Sequence, residues 1–106
     1  MRNIKKRKKW WTYARNVLYA YPELKRCGPQ SETERRELAA VTAAIDEIRQ
    51  MEPSEASARL TLLRCFYWDR SHTLEGAAMA ANISIATAWR WNGDVIRSVA
   101  KGLGLE

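Results

Sequence analysis

Two sets of residues carry groups that can do chemistry at an informative spacing. The first is Ser84, Ile85, Ala86, Thr87, Trp89, Arg90 and Arg97, gathered near the C-terminal end. An arginine fork can hydrogen-bond twice to one guanine edge, a hydroxyl can bind phosphate or base, and Ile or Ala can touch a thymine methyl. The second is the block Lys5, Lys6, Arg7, Lys8 and Lys9, which leads directly into Trp10 and Trp11. Each phosphate that such a block neutralises adds close to one unit to the salt dependence of binding. Catalysis finds no comparable set. His72 is the only histidine, no Cys, Ser or acid stands at a spacing that would make it a base, and no glycine-rich phosphate loop occurs. Cys27 and Cys65 form no CxxC pair, so the usual spacings assemble no zinc site. The expectation is a chain that is not an enzyme, needs no cofactor or metal, and keeps both thiols reduced in the cytoplasm.

The charge distribution supports an anionic partner. The chain has 106 residues, a net charge of +6 and 46% hydrophobic residues, which is one domain with enough apolar material for a core. Residues 1–30 carry +8, residues 31–58 carry −4, and residues 59–106 carry +2. A basic end beside an acidic middle points to nucleic acid or a membrane surface. Membrane binding would want the basic residues along one face of an amphipathic helix. Here they form a contiguous block, so DNA fits better. No apolar run of signal-peptide or membrane-spanning length occurs, so the sequence is expected to be neither exported nor membrane-spanning.

The elements that must position these residues read as helices. Trp10, Ala14, Val17 and Tyr21 form a stripe at helical spacing, ended by Pro22 and then Cys27-Gly28-Pro29. Ser31-Glu32-Thr33-Glu34 has the capping-box form and opens a second helix with the stripe Leu38, Val41, Ile45, Ile48. That stripe could pair two chains, although packing against the first and third helices is the default. Ser54 can cap a third helix whose set Leu60, Leu63 and Tyr67, with Leu62 and Phe66, is wide enough for burial on two sides. Thr73 caps a short fourth helix, and Ser84 caps a fifth that ends at Gly102 or Gly104. The prediction is an all-α fold of about five helices: a basic arm at 1–9, then a single helical domain at 10–106.

Between the last two helices the spacing matches a helix-turn-helix at about 73–102. Ala78 offers a small residue where the second helix crosses, Asn82 tolerates left-handed angles, Ile83 is β-branched just after the turn, and Ala88 faces back to the core. Leu74 and Trp91 would be outer core positions. The first two turns of the last helix would then present Ser84, Ile85, Ala86, Thr87, Trp89 and Arg90, where recognition helices meet base edges in the major groove. Arg90 suits a bidentate contact to guanine, and Arg97 a backbone phosphate. Trp89 and Trp91 cannot share a face. Either Trp89 stands beside the DNA face or it packs under the second or third helix.

The run Leu62-Leu63-Arg64-Cys65-Phe66-Tyr67-Trp68, then Thr73-Leu74-Glu75-Gly76-Ala77-Ala78, Asn82-Ile83-Ser84 and Thr87-Ala88-Trp89-Arg90-Trp91, resembles region four of bacterial sigma factors. It is closer still to small phage-encoded transcriptional regulators of the ArpU/RinA type. The similarity spans roughly residues 38 to 104, with Gly76 and Ala88 standing where those regulators more often carry larger residues. The resemblance implies a sequence-specific double-stranded DNA-binding regulator of phage or prophage genes, acting in the host cytoplasm at the nucleoid, with host RNA polymerase as a further partner. A homodimer would match the two-fold operators usual for the motif. Two rival readings stay open. One is a phage small terminase subunit, and the other is a sigma-like protein-interaction module that uses exposed tryptophans as anchors.

Overall fold

The computed structural model describes residues 9–105, which form five α-helices and no strand: α1 (Trp10–Cys27), α2 (Glu32–Arg49), α3 (Pro53–Leu63), α4 (Leu74–Ala81) and α5 (Ile85–Gly102). A π-helical turn, Arg64–Trp68, prolongs α3. Lys5, Lys6, Arg7 and Lys8 lie outside the described residues, whereas Lys9 is exposed at the start of α1.

Cap chemistry begins four of the helices. Ser31, Thr73 and Ser84 each take extended backbone angles and accept from the N–H three residues on, at 3.1, 3.0 and 3.1 Å. This satisfies one of the donors that a helix start leaves orphaned. Glu34 does not complete the capping box on Ser31 and instead accepts from the Gln30 N–H at 2.7 Å. For α3 the cap is Glu52 rather than Ser54. Pro53 holds the first helical position, where its missing N–H costs nothing, and the Glu52 carboxylate accepts from the Glu55 N–H (3.1 Å) and from the Ser54 hydroxyl (2.7 Å). The hydroxyl and then the backbone bonds hold the Glu52 carboxyl below its usual range.

Pro22 does not end α1, which continues to Cys27. A proline inside a helix strands the carbonyl four residues back, here that of Leu18. The Trp68 indole N–H fills it at 3.1 Å. The actual stop is Gly28, at φ 81°, whose N–H bonds to Leu24 O at 2.8 Å.

The apolar residues fall into two clusters. The larger joins α1, α2, α3 and α5 around Ala14, Leu18, Val41, Ile96, Val99 and Ala100, all 0% exposed. The smaller joins Leu62 and Cys65 to Leu74, Ala77, Ala78 and Ala88 of the last two helices. The expected two-sided burial of the third helix is the link between them. Leu63 and Tyr67 enter the larger cluster, Leu62 and Cys65 the smaller, and Phe66 packs against both. Only Arg64 of the run Leu62–Tyr67 is left in water, where it meets Asp69 at 3.7 Å. Tyr67 is 1% exposed, meets Tyr19 and Phe66 edge-on, and donates its hydroxyl to Asn92 Oδ1 on α5. Burial pushes its phenol pKa up, and the Arg15 charge opposes part of that rise.

The stripe on α2 is used within the chain. Val41, Ile45 and Ile48 are at most 6% exposed and pack with Val95, Ile96 and Val99 of α5 as well as with α1 and α3. Three of the four stripe residues are buried within the chain this way, and Leu38 is half-exposed. Beside it, Ser98 donates to Glu47 Oε1 at 2.9 Å, so the acidic helix backs onto the second half of α5.

Candidate nucleic-acid interface

The local chain geometry sets the start of α5. Asn82 adopts left-handed angles (φ 61°, ψ 45°), which an asparagine reaches at low cost. The Ile83 N–H reaches back to Ala78 O and the Asn82 N–H to Met79 O, both at 3.0 Å, closing α4 with a Schellman turn. Ala78 is 2% and Ala88 0% exposed, and Ile83 packs beside them. These small side chains fill the contact between α4 and α5, while Ile85, Ala86, Trp89 and Arg90 on the first turns of α5 are exposed.

Those turns present most of the residues expected there. Ile85, Ala86, Trp89 and Arg90 are exposed, and Trp89 is exposed to 61%. Trp89 therefore does not pack under the second or third helix. Arg90 makes no ion pair or hydrogen bond among the described residues, so its five donors face solvent. Ser84 and Thr87 are partly committed to each other: besides the cap bond, the Ser84 hydroxyl donates to Thr87 Oγ1 at 2.9 Å, and Thr87 is only half-exposed. Trp91 takes the inward side at the rim of the smaller cluster, half-buried beneath the Arg59 guanidinium at 4.6 Å.

Arg97 is less available than Arg90. It pairs with Asp94 at 3.0 Å, and Asp94 also meets Arg59 at 3.6 Å. Arg59 in turn holds Glu55 at 2.8 Å. Anion binding by Arg97 would compete with an exposed pair of modest worth.

A neighbouring feature goes unseen in the sequence. The α1, π-turn and α5 segments enclose a groove of about 610 Å³ lined by Trp11, Arg15, Phe66, Trp89, Arg90 and Arg97, with Asn92 and Gly93 of α5. Among the described residues no carboxylate lines it. Arg15 is half-buried, and its Nε has no hydrogen-bond partner among the described residues. The available signal was Arg15 itself, a cation next to Ala14 and two residues before Val17 of the first stripe. Among the described residues no group of His, Cys, Asp or Glu side chains gathers to hold a metal ion, and no helix is long and apolar enough to cross a membrane.

Compared with family models, with curated proteins and with solved structures, the chain matches none.

Proposed function

We propose that this chain is a sequence-specific, non-enzymatic regulator of transcription that reads duplex DNA with the N-terminal half of α5. The observation that carries the reading is the solvent-facing Arg90, unpaired among the described residues, beside Ile85, Ala86 and Trp89 on a capped helix that follows a tight left-handed turn. The helix-turn-helix reading of α4 and α5 is supported by the exposure of these side chains on the first turns of the second helix, the part of a recognition helix that meets base edges. Arg90 takes a guanine, Ile85 and Ala86 take thymine methyls, and Ser84, Thr87 and Arg97 meet the backbone. The block Lys5 to Lys9 adds sequence-independent affinity by neutralising phosphates. The motif resemblance extends this to regulation of phage or prophage genes in a bacterial cytoplasm, with host RNA polymerase as a further partner. A homodimer on a two-fold operator would use a surface other than the α2 stripe.

Selection of bound sequences from a random duplex pool tests the reading. Enrichment of a defined site is expected, and a palindromic site would point to a dimer. Failure to enrich any sequence over the starting pool would overturn it. One observation favours a second reading: Met79 is 80% exposed and Trp89 61% exposed, which would suit anchoring to a protein partner. The terminase alternative requires a ring, so a monomer or dimer mass in solution would dispose of it.

A further inference from the structure

We infer that the groove between α1 and α5 binds an unpaired nucleotide, with its base against the Trp89 indole and its phosphate among Arg15, Arg90 and Arg97. This goes beyond duplex reading: the groove shares Trp89, Arg90 and Arg97 with α5, and its other wall is Trp11, Arg15 and Phe66 from α1 and the π turn.

The chemistry of the lining carries the inference. Three guanidinium groups open onto one groove that no carboxylate lines among the described residues; Arg97 is held by Asp94 at 3.0 Å from outside the lining, and Arg15 and Arg90 leave the groove favourable to an anion. Arg15 is half-buried and its Nε has no partner among the described residues, an unmade bond of the kind that folded proteins seldom leave. Asn92 adds a donor: its Oδ1 accepts the Tyr67 hydroxyl, which turns its amide NH₂ away from that bond. Trp11, Phe66 and Trp89 supply aromatic surface, and stacking a planar ring on indole beside arginine is how single strands are gripped without base-specific hydrogen bonds. At about 610 Å³ the groove falls in the range of ligand sites, roughly 300–1,000 Å³.

Gly93 shapes the site. A Cβ there would lie 3.3 Å from Arg97 Nη2 and 3.5 Å from Nη1, so the Arg97 guanidinium passes close against the bare backbone of Gly93. Glycine is a poor choice for a helix interior, and this close approach gives it a purpose.

The test uses the full chain and two labelled probes: a short oligothymidylate, and an abasic oligomer with the same number of phosphates. The basic arm binds both alike, so the difference between them reports the base. The oligothymidylate is expected to bind about tenfold tighter, as one stacked base would give. Trp89→Ala should make the two probes equal, and Arg15→Gln should weaken the oligothymidylate by a similar factor. Because Arg15 is half-buried, Arg97→Gln at an exposed position of α5 serves as a variant that keeps the fold, and it too should weaken oligothymidylate binding. Thymidine monophosphate competing at the groove would identify a free nucleotide as the source, and strand-only binding a polymer. Equal affinity of the wild-type chain for the two probes, or oligothymidylate affinity unmoved by all three variants, overturns the inference. A duplex enriched in selection without any base-dependent binding of single strands sinks only this inference, and the converse outcome sinks only the duplex reading.

Discussion

The Trp68 indole donates to the carbonyl oxygen of Leu18, fifty positions away in the chain, at 3.1 Å. That carbonyl is the one Pro22 cannot serve, since Pro22 has no N–H to return to the preceding turn. The bond ties the end of the π turn to the middle of α1, and Tyr21 packs on the same indole with ring centroids 5.3 Å apart.

Trp68→Phe should therefore destabilise the fold by about 1–3 kcal/mol, the cost of leaving a buried acceptor unsatisfied. Pro22→Ala restores a local donor to Leu18 O, so Trp68→Phe should cost less in that background. Thermal unfolding of the two single variants and the double variant measures the coupling. Strictly additive losses would contradict it.

Tyr13 on α1 donates to Glu37 Oε2 on α2 at 2.5 Å, and the bond to this carboxylate, followed by burial, pushes the phenol up to about 12. The folded state holds the Tyr13 proton more tightly than the unfolded chain does, so this contribution is whole below about pH 10 and is lost as the pH rises towards about 12. Tyr13 is 40% exposed, so solvent screening keeps the effect to about 1 kcal/mol or less. Denaturant melts of wild type and Tyr13→Phe should differ at neutral pH and converge in strong alkali. A constant gap across that window would exclude the linkage.

The left-handed Asn82 gives a sharper test of the turn. Asn82→Gly should change stability little, because glycine reaches φ 61° freely. Asn82→Val should cost about 1–2 kcal/mol, because a β-branched side chain crowds the backbone there. Equal stability of the two variants in urea titration would mean that the turn relaxes elsewhere.

Deletion of residues 1–9 should flatten the plot of log affinity against log salt by close to one unit for each phosphate that the arm neutralises. An unchanged slope would remove the arm from DNA binding and leave α5 alone to supply the affinity.

Local chemistry made much of this legible from sequence. Ser31, Thr73 and Ser84 cap helices because a hydroxyl three residues before a free N–H needs no distant partner. Asn82 fits its turn for the same reason. The sequence misleads where the deciding partner is remote or competes nearby. Pro22 reads as a stop until Trp68 arrives from the other end of the domain. Ser54 reads as a cap until the Glu52 carboxylate, one residue ahead of Pro53, takes both the Glu55 N–H and the Ser54 hydroxyl itself. The groove is the extreme case: Arg15 is unremarkable in its own helix and acquires meaning only beside Trp89, Arg90 and Arg97.

The most direct test of base reading by Arg90 is the affinity of wild type and Arg90→Ala for the selected duplex and for a scrambled duplex of equal length, at the same salt. The predicted result is a loss of about 1–3 kcal/mol on the selected site, as for a broken arginine–guanine pair, and a much smaller loss on the scrambled one. Equal losses on the two duplexes would contradict it and reduce Arg90 to one more cation near the phosphates.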